Sequence, residues 1–424
     1  MRTYGFFIVA AILFFIDWYV WTAMRHEISK ISRPIVQWLV TFLYWLPAIS
    51  MMIIAIGTIV TLNSGGARSN SVYMNYAFGI IMVTYISKLL PFIFLAIADL
   101  FRLGEFAFRY IVPNSIAETK QISTIGRSQF IKGIGWFTGA VLLSGLVTGM
   151  VKWVYDFQVK KTKLKLAKLP KSFEGLKIVQ ISDLHLGSWL SDKPLRRAIQ
   201  MINELNPDVI FFTGDLVNNK TDEAYPFEDA LRLLKAKYGV FSTLGNHDYG
   251  DYIEWPSREA KKQNLQDIIS FHKKLGWRIL MNEHEAIEIN GEKICILGVE
   301  NWGASLSFPK HGKIEEAIKN TEEYPVKLLL SHDPSHWDQM ISKQYKDVDA
   351  TFSGHTHGMQ MGIEIPWLKW SPVQYVYPHW AGLYTNNDAV ESQQYLYVNR
   401  GLGHLGYPGR MGILPEITLV ELES

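Results

Sequence analysis

Lys177-Ile178-Val179-Gln180-Ile181-Ser182-Asp183-Leu184-His185 reads as a short buried strand that stops at a polar turn carrying Asp-X-His. Four further apolar runs end in the same manner. Val209–Phe212 leads into Gly214-Asp215, and Val240–Leu244 into Gly245-Asn246-His247-Asp248. Lys327–Leu330 leads into Ser331-His332-Asp333, and Val348–Phe352 into Ser353-Gly354-His355-Thr356-His357. Short apolar runs bounded by turn formers fit strands buried on both faces of a sheet. Between them, Pro194–Leu205 and Phe227–Lys237 have helical spacing, so the chain from about Leu164 onward is expected to alternate strands and helices. Strand C-termini in such folds open onto one edge, where ligands bind. Five strand ends would thus deliver Asp, His and Asn side chains to one place.

Each motif alone is weak, because Asp-X-His is usually a turn and Gly-Asp a turn or cap. Five in this order, each after a strand, point to a metal site. Carboxylate, imidazole and amide oxygen without thiolate suit Mn²⁺, Fe²⁺, Zn²⁺ or Mg²⁺. The single cysteine, Cys295, lies in the apolar run Ile294–Leu297 and reads as a buried strand residue, which excludes a cysteine-based zinc site.

The set Asp-X-His, Gly-Asp, Gly-Asn-His-Asp, His and Gly-His-X-His resembles the signature of the calcineurin-like metallophosphoesterases, over roughly residues 160–424. The tail Tyr397-Val398-Asn399-Arg400-Gly401-Leu402-Gly403, with Pro415-Glu416-Ile417, looks like a bacterial membrane-associated branch of that family. The resemblance implies a four-layer α/β/β/α sandwich. It implies Asp183, His185 and His357 on one metal ion, Asn246, His332 and His355 on a second, and Asp215 bridging both. His247 would be the catalytic acid, with Asp248 placed to orient it. Two divalent ions would activate a water for in-line attack on a phosphate mono- or diester while His247 protonates the leaving oxygen. Arg400 and Arg410 lie in glycine-rich loops, and a guanidinium suits a phosphate contact. Arg400 is the candidate for substrate binding, with a structural ion pair as the alternative.

Upstream the composition changes. Tyr4–Ala23, Ile35–Leu62, Val72–Ala98 and Gly133–Tyr155 are each long and apolar enough to cross a bilayer, which takes about 20 residues. The chain is therefore expected to be an α-helical anchor of four spans over residues 1–155, followed by the catalytic domain over 156–424. Pro47 and Pro91 are candidate kinks, and polar connectors such as Asn63-Ser64-Gly65-Gly66 separate the spans. Asp17 and Lys88 fall inside spans, where charge is costly. The simplest expectation puts Asp17 near an interface and lets Lys88 snorkel. Basic residues in the first connector (Arg25, Lys30, Arg33) and the third (Arg102, Arg109, Lys120, Arg127, Lys132) mark those loops as cytoplasmic. Arg127–Lys132 resembles a twin-arginine export signal lacking its second arginine. Both features send the catalytic domain outside the cell membrane, against the lysines at 160–168.

With 42 basic and 40 acidic residues, the chain has no global charge suited to nucleic acid, and none is expected as a partner. The partners implied are the bilayer and a phosphate-ester substrate, with lipid-linked phosphates the most economical class. A phosphodiesterase for soluble nucleotides is the second reading, weakened by the absence of a basic stripe near the motifs. A transporter or sensor with a regulatory metal domain is the third, weakened by spans with few polar residues. The aromatic stretch Pro366–Tyr384, with Trp367, Trp370, Tyr375, Tyr377 and Trp380, is either an interfacial surface or a loop packed on the sheet.

Overall fold

A computed structural model describes residues 2–63, 72–111, 124–305, 308, 310–386 and 393–424. Ser64, Gly65, Gly66 and Lys120 lie outside the described residues, as do the side chains of Tyr4, Leu62, Arg109, Arg127 and Ser128. The chain divides into two compact units, Met1–Thr148 and Gly149–Ser424.

The first unit is four helices: α1 (Arg2–Ile28), α2 (Pro34–Asn63), α3 (Val72–Ile111) and α4 (Thr124–Val151), the last of which ends in the second unit. Ile8–Ile28, Pro34–Gly57, Val72–Phe108 and Gln129–Val151 are long and apolar enough to cross a membrane. At about 1.5 Å per residue, the 40 residues of α3 extend about 60 Å, well past a hydrocarbon core of about 30 Å. Its end at Ile111 therefore runs beyond the expected span. Pro47 and Pro91 sit inside continuous helices. A Cβ at Gly139 would stand 2.6 Å from Pro91 Cγ, and one at Gly135 2.7 Å from Phe94 Cβ. Glycines four apart on α4 thus let α3 approach closely, as small residues do between membrane helices.

The two charges within the spans are paired with each other. Lys88 Nζ lies 2.5 Å from Asp17 Oδ1, and the Tyr85 hydroxyl donates to Asp17 Oδ2 at 2.6 Å. Tyr44 donates to the Asp17 carbonyl at 2.7 Å, and Lys88 Nζ sits 4.0 Å from the Tyr44 ring centroid. Asp17 is fully buried. In a medium without water each charge needs a partner, and packing α1 against α2 and α3 supplies it. The expectation of a snorkelling lysine is corrected accordingly.

The second unit holds two six-stranded sheets. The first comprises β1 (Gln158–Lys165), β2 (Lys177–Ile181), β3 (Val209–Thr213), β4 (Val240–Thr243), β5 (Arg278–Ile279) and β14 (Glu416–Glu423), in the order β1-β14-β2-β3-β4-β5. The second comprises β6 (Glu283–Ile289), β7 (Glu292–Gly298), β8 (Lys327–Leu330), β9 (Ala350–Ser353), β12 (Gly382–Asn386) and β13 (Gln394–Val398), in the order β12-β13-β9-β8-β7-β6. A small hairpin, β10 (Ile363–Ile365) and β11 (Leu368–Trp370), stands apart.

Period-two alternation sorts the strand residues into three apolar layers. Ile178, Val209 and Phe211 face Ile294, Ile296, Leu328 and Phe352 between the sheets. Val179, Ile181, Ile210 and Phe212 point the other way, onto α5 (Lys193–Glu204) and α6 (Arg258–Lys274). Cys295, Leu297, Leu329 and Val398 cover the outer face of the second sheet with Trp337 and Ile341. Three apolar layers make four structural layers, α/β/β/α. Cys295 is fully buried, and burial pushes its thiol up to about 12.

One expected helix is shorter than its pattern. Only Glu228–Leu231 of Phe227–Lys237 is α-helical. The Asn203 amide donates to the Leu233 carbonyl at 2.7 Å and accepts from the Lys235 N–H at 3.0 Å. Those backbone groups are thereby drawn out of the helical ladder.

Candidate metal centre

The five motifs do converge on one edge. Asp183 follows β2, Asp215 follows β3, Asn246 follows β4, His332 follows β8, and His355 and His357 follow β9. The turns that carry them are tightly nested. A Cβ on Gly245 would fall 2.2 Å from Asp215 Oδ1, and one on Gly354 2.0 Å from Ser182 Oγ. Only glycine leaves room at either position.

The backbone here is strained. Among the described residues, those with positive φ other than glycine and asparagine are Asp183, His185, Asp215, His355, His357, Met359 and Gln360. A left-handed non-glycine residue costs about 1–2 kcal/mol. Five of these seven carry candidate ligands, so the strain is concentrated where side chains must converge.

The donor atoms form two sets with a common vertex. In the first, Asp183 Oδ1 lies 3.3 Å from His357 Nε2, which lies 3.0 Å from His185 Nε2, itself 3.5 Å from Asp215 Oδ2. In the second, Asp215 Oδ2 lies 3.1 Å from His332 Nε2, His332 Nε2 3.3 Å from His355 Nδ1, and His355 Nδ1 2.8 Å from Asn246 Oδ1. Donors about 2.1 Å from one ion stand about 3.0–3.4 Å apart at octahedral or tetrahedral angles. The residues therefore fit divalent ions. The Nε2 atoms of His185 and His357 stand 3.0 Å apart in a buried site, a separation that two ligands of one cation share. A third grouping, His185, Asp215 and His247, also brings its donor atoms within 4.8 Å of one another.

Neighbouring groups choose which atom of each ligand is free. His332 Nδ1 donates to the Thr213 carbonyl at 2.7 Å, so Nε2 is the ring nitrogen turned toward Asp215. His355 Nε2 lies 2.8 Å from the Tyr377 hydroxyl, leaving Nδ1 toward Asn246 and His332. The His247 N–H donates to Asp215 Oδ1 at 2.8 Å, so Oδ2 is the shared vertex. Electrostatics agree. Against the penalty of burial, His357 holds Asp183, and His332 holds Asp215, below the ordinary carboxylate range. Burial opposes charge on His332, yet Asp215 carries it up to about 10. The buried carboxylates thus draw positive charge to the place where ions would supply it.

Two expected roles change. Asp248 does not orient His247. Its carboxylate accepts from the N–H groups of Asp215 (2.9 Å), Leu216 (2.9 Å), Val217 (3.3 Å) and Gly245 (2.8 Å), because the 3₁₀ turn Asn246–Tyr249 aims it back under the β3 loop. Burial, and then the Asp215 charge, push Asp248 up to about 7. The Asn218 carbonyl orients the imidazole instead, accepting from His247 Nδ1 at 2.7 Å. A carbonyl from any residue would serve, so no side-chain signal marks Asn218. Arg400 takes the structural ion-pair role. Its guanidinium pairs with Glu416 and, at 2.5 Å, with Glu364, and the residue is buried. Arg410 is buried as well, donating to the Gly401 and Gly403 carbonyls at 3.0 and 2.6 Å.

Sequence reading also missed the rim. Tyr252 packs on His247 with ring centroids 4.3 Å apart, and its hydroxyl accepts from Asn246 at 2.7 Å. Phe308 meets His355 edge-on at 4.9 Å. Both are ordinary aromatics in loops, and their spacing from the motifs carries no message.

Known proteins resemble both units. Residues 1–153 match the family described as probable calcineurin-like phosphoesterase, transmembrane domain, and residues 176–359 match calcineurin-like phosphoesterase. An uncharacterized metallophosphoesterase of Bacillus subtilis is 30% identical over 308 residues, covering 71% of this chain and 98% of that protein. A transmembrane protein with metallophosphoesterase domain from Danio rerio is 30% identical over 284 residues, 66% of this chain, which spans 60% of that relative's length. The UDP-2,3-diacylglucosamine pyrophosphatase of Chlamydia muridarum is 29% identical over 319 residues, 63% of this chain and 92% of its own.

Proposed function

The chain is a membrane member of the calcineurin-like phosphoesterase family, and on that premise we propose that it hydrolyses a lipid-linked phosphate ester or pyrophosphate at two divalent metal ions. The observation that carries this reading is Asp215 Oδ2, the shared vertex of two donor sets that otherwise have no residue in common. Asp183, His185 and His357 would hold one ion and Asn246, His332 and His355 the other. Two such ions supply a water ionised near neutral pH, its pKa lowered from about 15.7 toward about 7, and neutralise phosphoryl charge.

The chain's own residues do the rest. His247 stands beside the cluster with Nδ1 fixed by Asn218. Its Nε2 is thereby the atom that gives a proton to the leaving oxygen. Asp248 ties the Asp215–Val217 amides to Gly245, holding the bridging carboxylate in register with the Asn246 turn. The Tyr252, Phe308 and Tyr377 rings narrow the approach and limit water around the reacting phosphate.

The lipid assignment draws on the anchor and on the Chlamydia relative, whose name places its action on a diacylated nucleotide sugar. Sharing a bilayer with substrate raises effective concentration without new contacts. The full chain in nanodiscs with Mn²⁺ is expected to hydrolyse a diacylated pyrophosphate at a kcat/KM at least about tenfold above its deacylated counterpart. Equal values for the two would remove lipid from the proposal, and greater activity on soluble nucleotides would favour that class instead.

We also place the catalytic unit outside the cell membrane, from the basic first and third connectors. Alkaline phosphatase fused after Ser424 in bacterial cells is then active and a fluorescent protein at the same site dark. A bright fluorescent fusion with inactive phosphatase puts the metal centre in the cytoplasm.

A further inference from the structure

The hairpin β10–β11 is built inside out. Its register pairs Ile363 with Trp370, Glu364 with Lys369, and Ile365 with Leu368, so the two outer pairs share one face and the charged pair occupies the other. In water the charged face of a two-stranded ribbon should turn outward. Here the charged ends turn toward the protein, Glu364 half-buried and Lys369 reaching inward from a side chain that keeps exposed surface. Glu364 pairs with the buried Arg400, and Lys369 donates to the Ala381 carbonyl while lying 4.9 Å from the Trp380 ring centroid. The isoleucines and Leu368 are left exposed.

The same surface continues beyond the hairpin. Trp367, at the tip, is 83% exposed, and the adjoining turn presents Tyr375 at 77% and Val376 at 74%. Behind these rings, Tyr377 reaches His355, so the apolar surface runs up to the metal centre.

The end of α4 lies close to it in the catalytic unit. The last residues of α4, Gly149–Val151, belong to the catalytic unit. The Gly149 carbonyl accepts from the Arg410 N–H at 3.2 Å. The next residue, Met411, pairs with both Gln360 and Gly362, at 2.7 and 2.9 Å. Four backbone steps therefore connect the end of a membrane-crossing segment to the start of the hairpin. Were the chain to leave a bilayer at Val151, the hairpin would lie within those few backbone steps of the exit.

We propose that the Ile363–Trp370 hairpin, with Tyr375 and Val376, is a membrane-docking surface that seats in the headgroup–acyl boundary next to the fourth span and holds the metal centre at the bilayer. Trp and Tyr favour that boundary, and apolar side chains turned outward are stabilised there rather than in water. The docking depends on the surface alone and holds whichever phosphate the enzyme cleaves.

Site-directed labelling tests it in the full chain. Cys295 is the single cysteine and is buried, so a new surface thiol can be labelled selectively. Trp367→Cys and, separately, Val376→Cys carry an environment-sensitive fluorophore in nanodiscs of phosphatidylcholine and phosphatidylglycerol, with Leu233→Cys as an exposed control on the α5 side. Val376→Cys keeps Trp367 in place, so loss of the tip residue cannot by itself abolish docking in both variants. Blue-shifted emission at 367 and 376, quenched several-fold more by nitroxide-bearing lipids than at 233, is the expected result. Quenching by aqueous iodide equal to that at 233, with no lipid quenching, overturns the proposal. Shielding from iodide and lipid alike overturns it too, and assigns the surface to a second copy of the chain.

Discussion

Replacing Asp215 by Asn is expected to leave a folded protein that has lost most of its bound metal and whose turnover falls on the order of 10³-fold or more, since both the ionised water and the phosphoryl clamp depend on the ions. Oδ2 is the one atom common to both donor sets, at 3.5 Å from His185 and 3.1 Å from His332. An amide there removes the negative charge that both ions share. The backbone should survive the change. Residue 215 has a φ of 58°, and asparagine tolerates the left-handed region better than most residues. The amide oxygen can still accept from the His247 N–H, and the apolar layers that carry the sheets do not include residue 215. Metal content by elemental analysis, circular dichroism and turnover measure the three parts separately. Normal turnover from a folded, metal-depleted Asp215→Asn protein would sink the two-ion reading.

His247→Gln separates metal binding from proton delivery. Both donor sets keep their own residues, so both ions should remain bound. Hydrolysis of esters with poor leaving groups should fall about 10²- to 10⁴-fold, the usual worth of a positioned general acid. Aryl phosphates, whose leaving group needs little protonation, should lose far less. Equal losses on alkyl and aryl substrates, with metal content unchanged, would deny His247 the acid role. Loss of metal would instead move it into the third grouping with His185 and Asp215.

The candidate ligands were legible because residue type and place coincided. Each sits just past a strand whose apolar run announces its end, and such ends share an edge by topology. What sequence could not show were the partners. Arg400 stands in a glycine-rich loop like a phosphate-binding residue, but Glu364 and Glu416 claim it from distant segments. Asp248 follows His247 directly, and adjacency suggested a pair; the 3₁₀ turn sends the carboxylate elsewhere. The Asn218 carbonyl carries no residue code at all. The hairpin shows a further limit. Ile-Glu-Ile and Leu-Lys-Trp alternate as any amphipathic strand would, and alternation does not tell which face looks outward.

The Asp17–Lys88 pair also sets an order of events during synthesis. Asp17 lies near the middle of the first crossing segment, and its counter-charge is 71 residues further along the chain. At about 5–20 residues per second, Lys88 is made roughly 4–14 s after Asp17. During that interval α1 carries a bare carboxylate at a depth where the translocon scale charges about 2.5–3.5 kcal/mol. Tyr44, which caps the Asp17 carbonyl, arrives earlier but brings no positive charge. The first helix therefore gains its counter-charge only once α3 is made, and the Asp17–Lys88 pair closes after both helices are present.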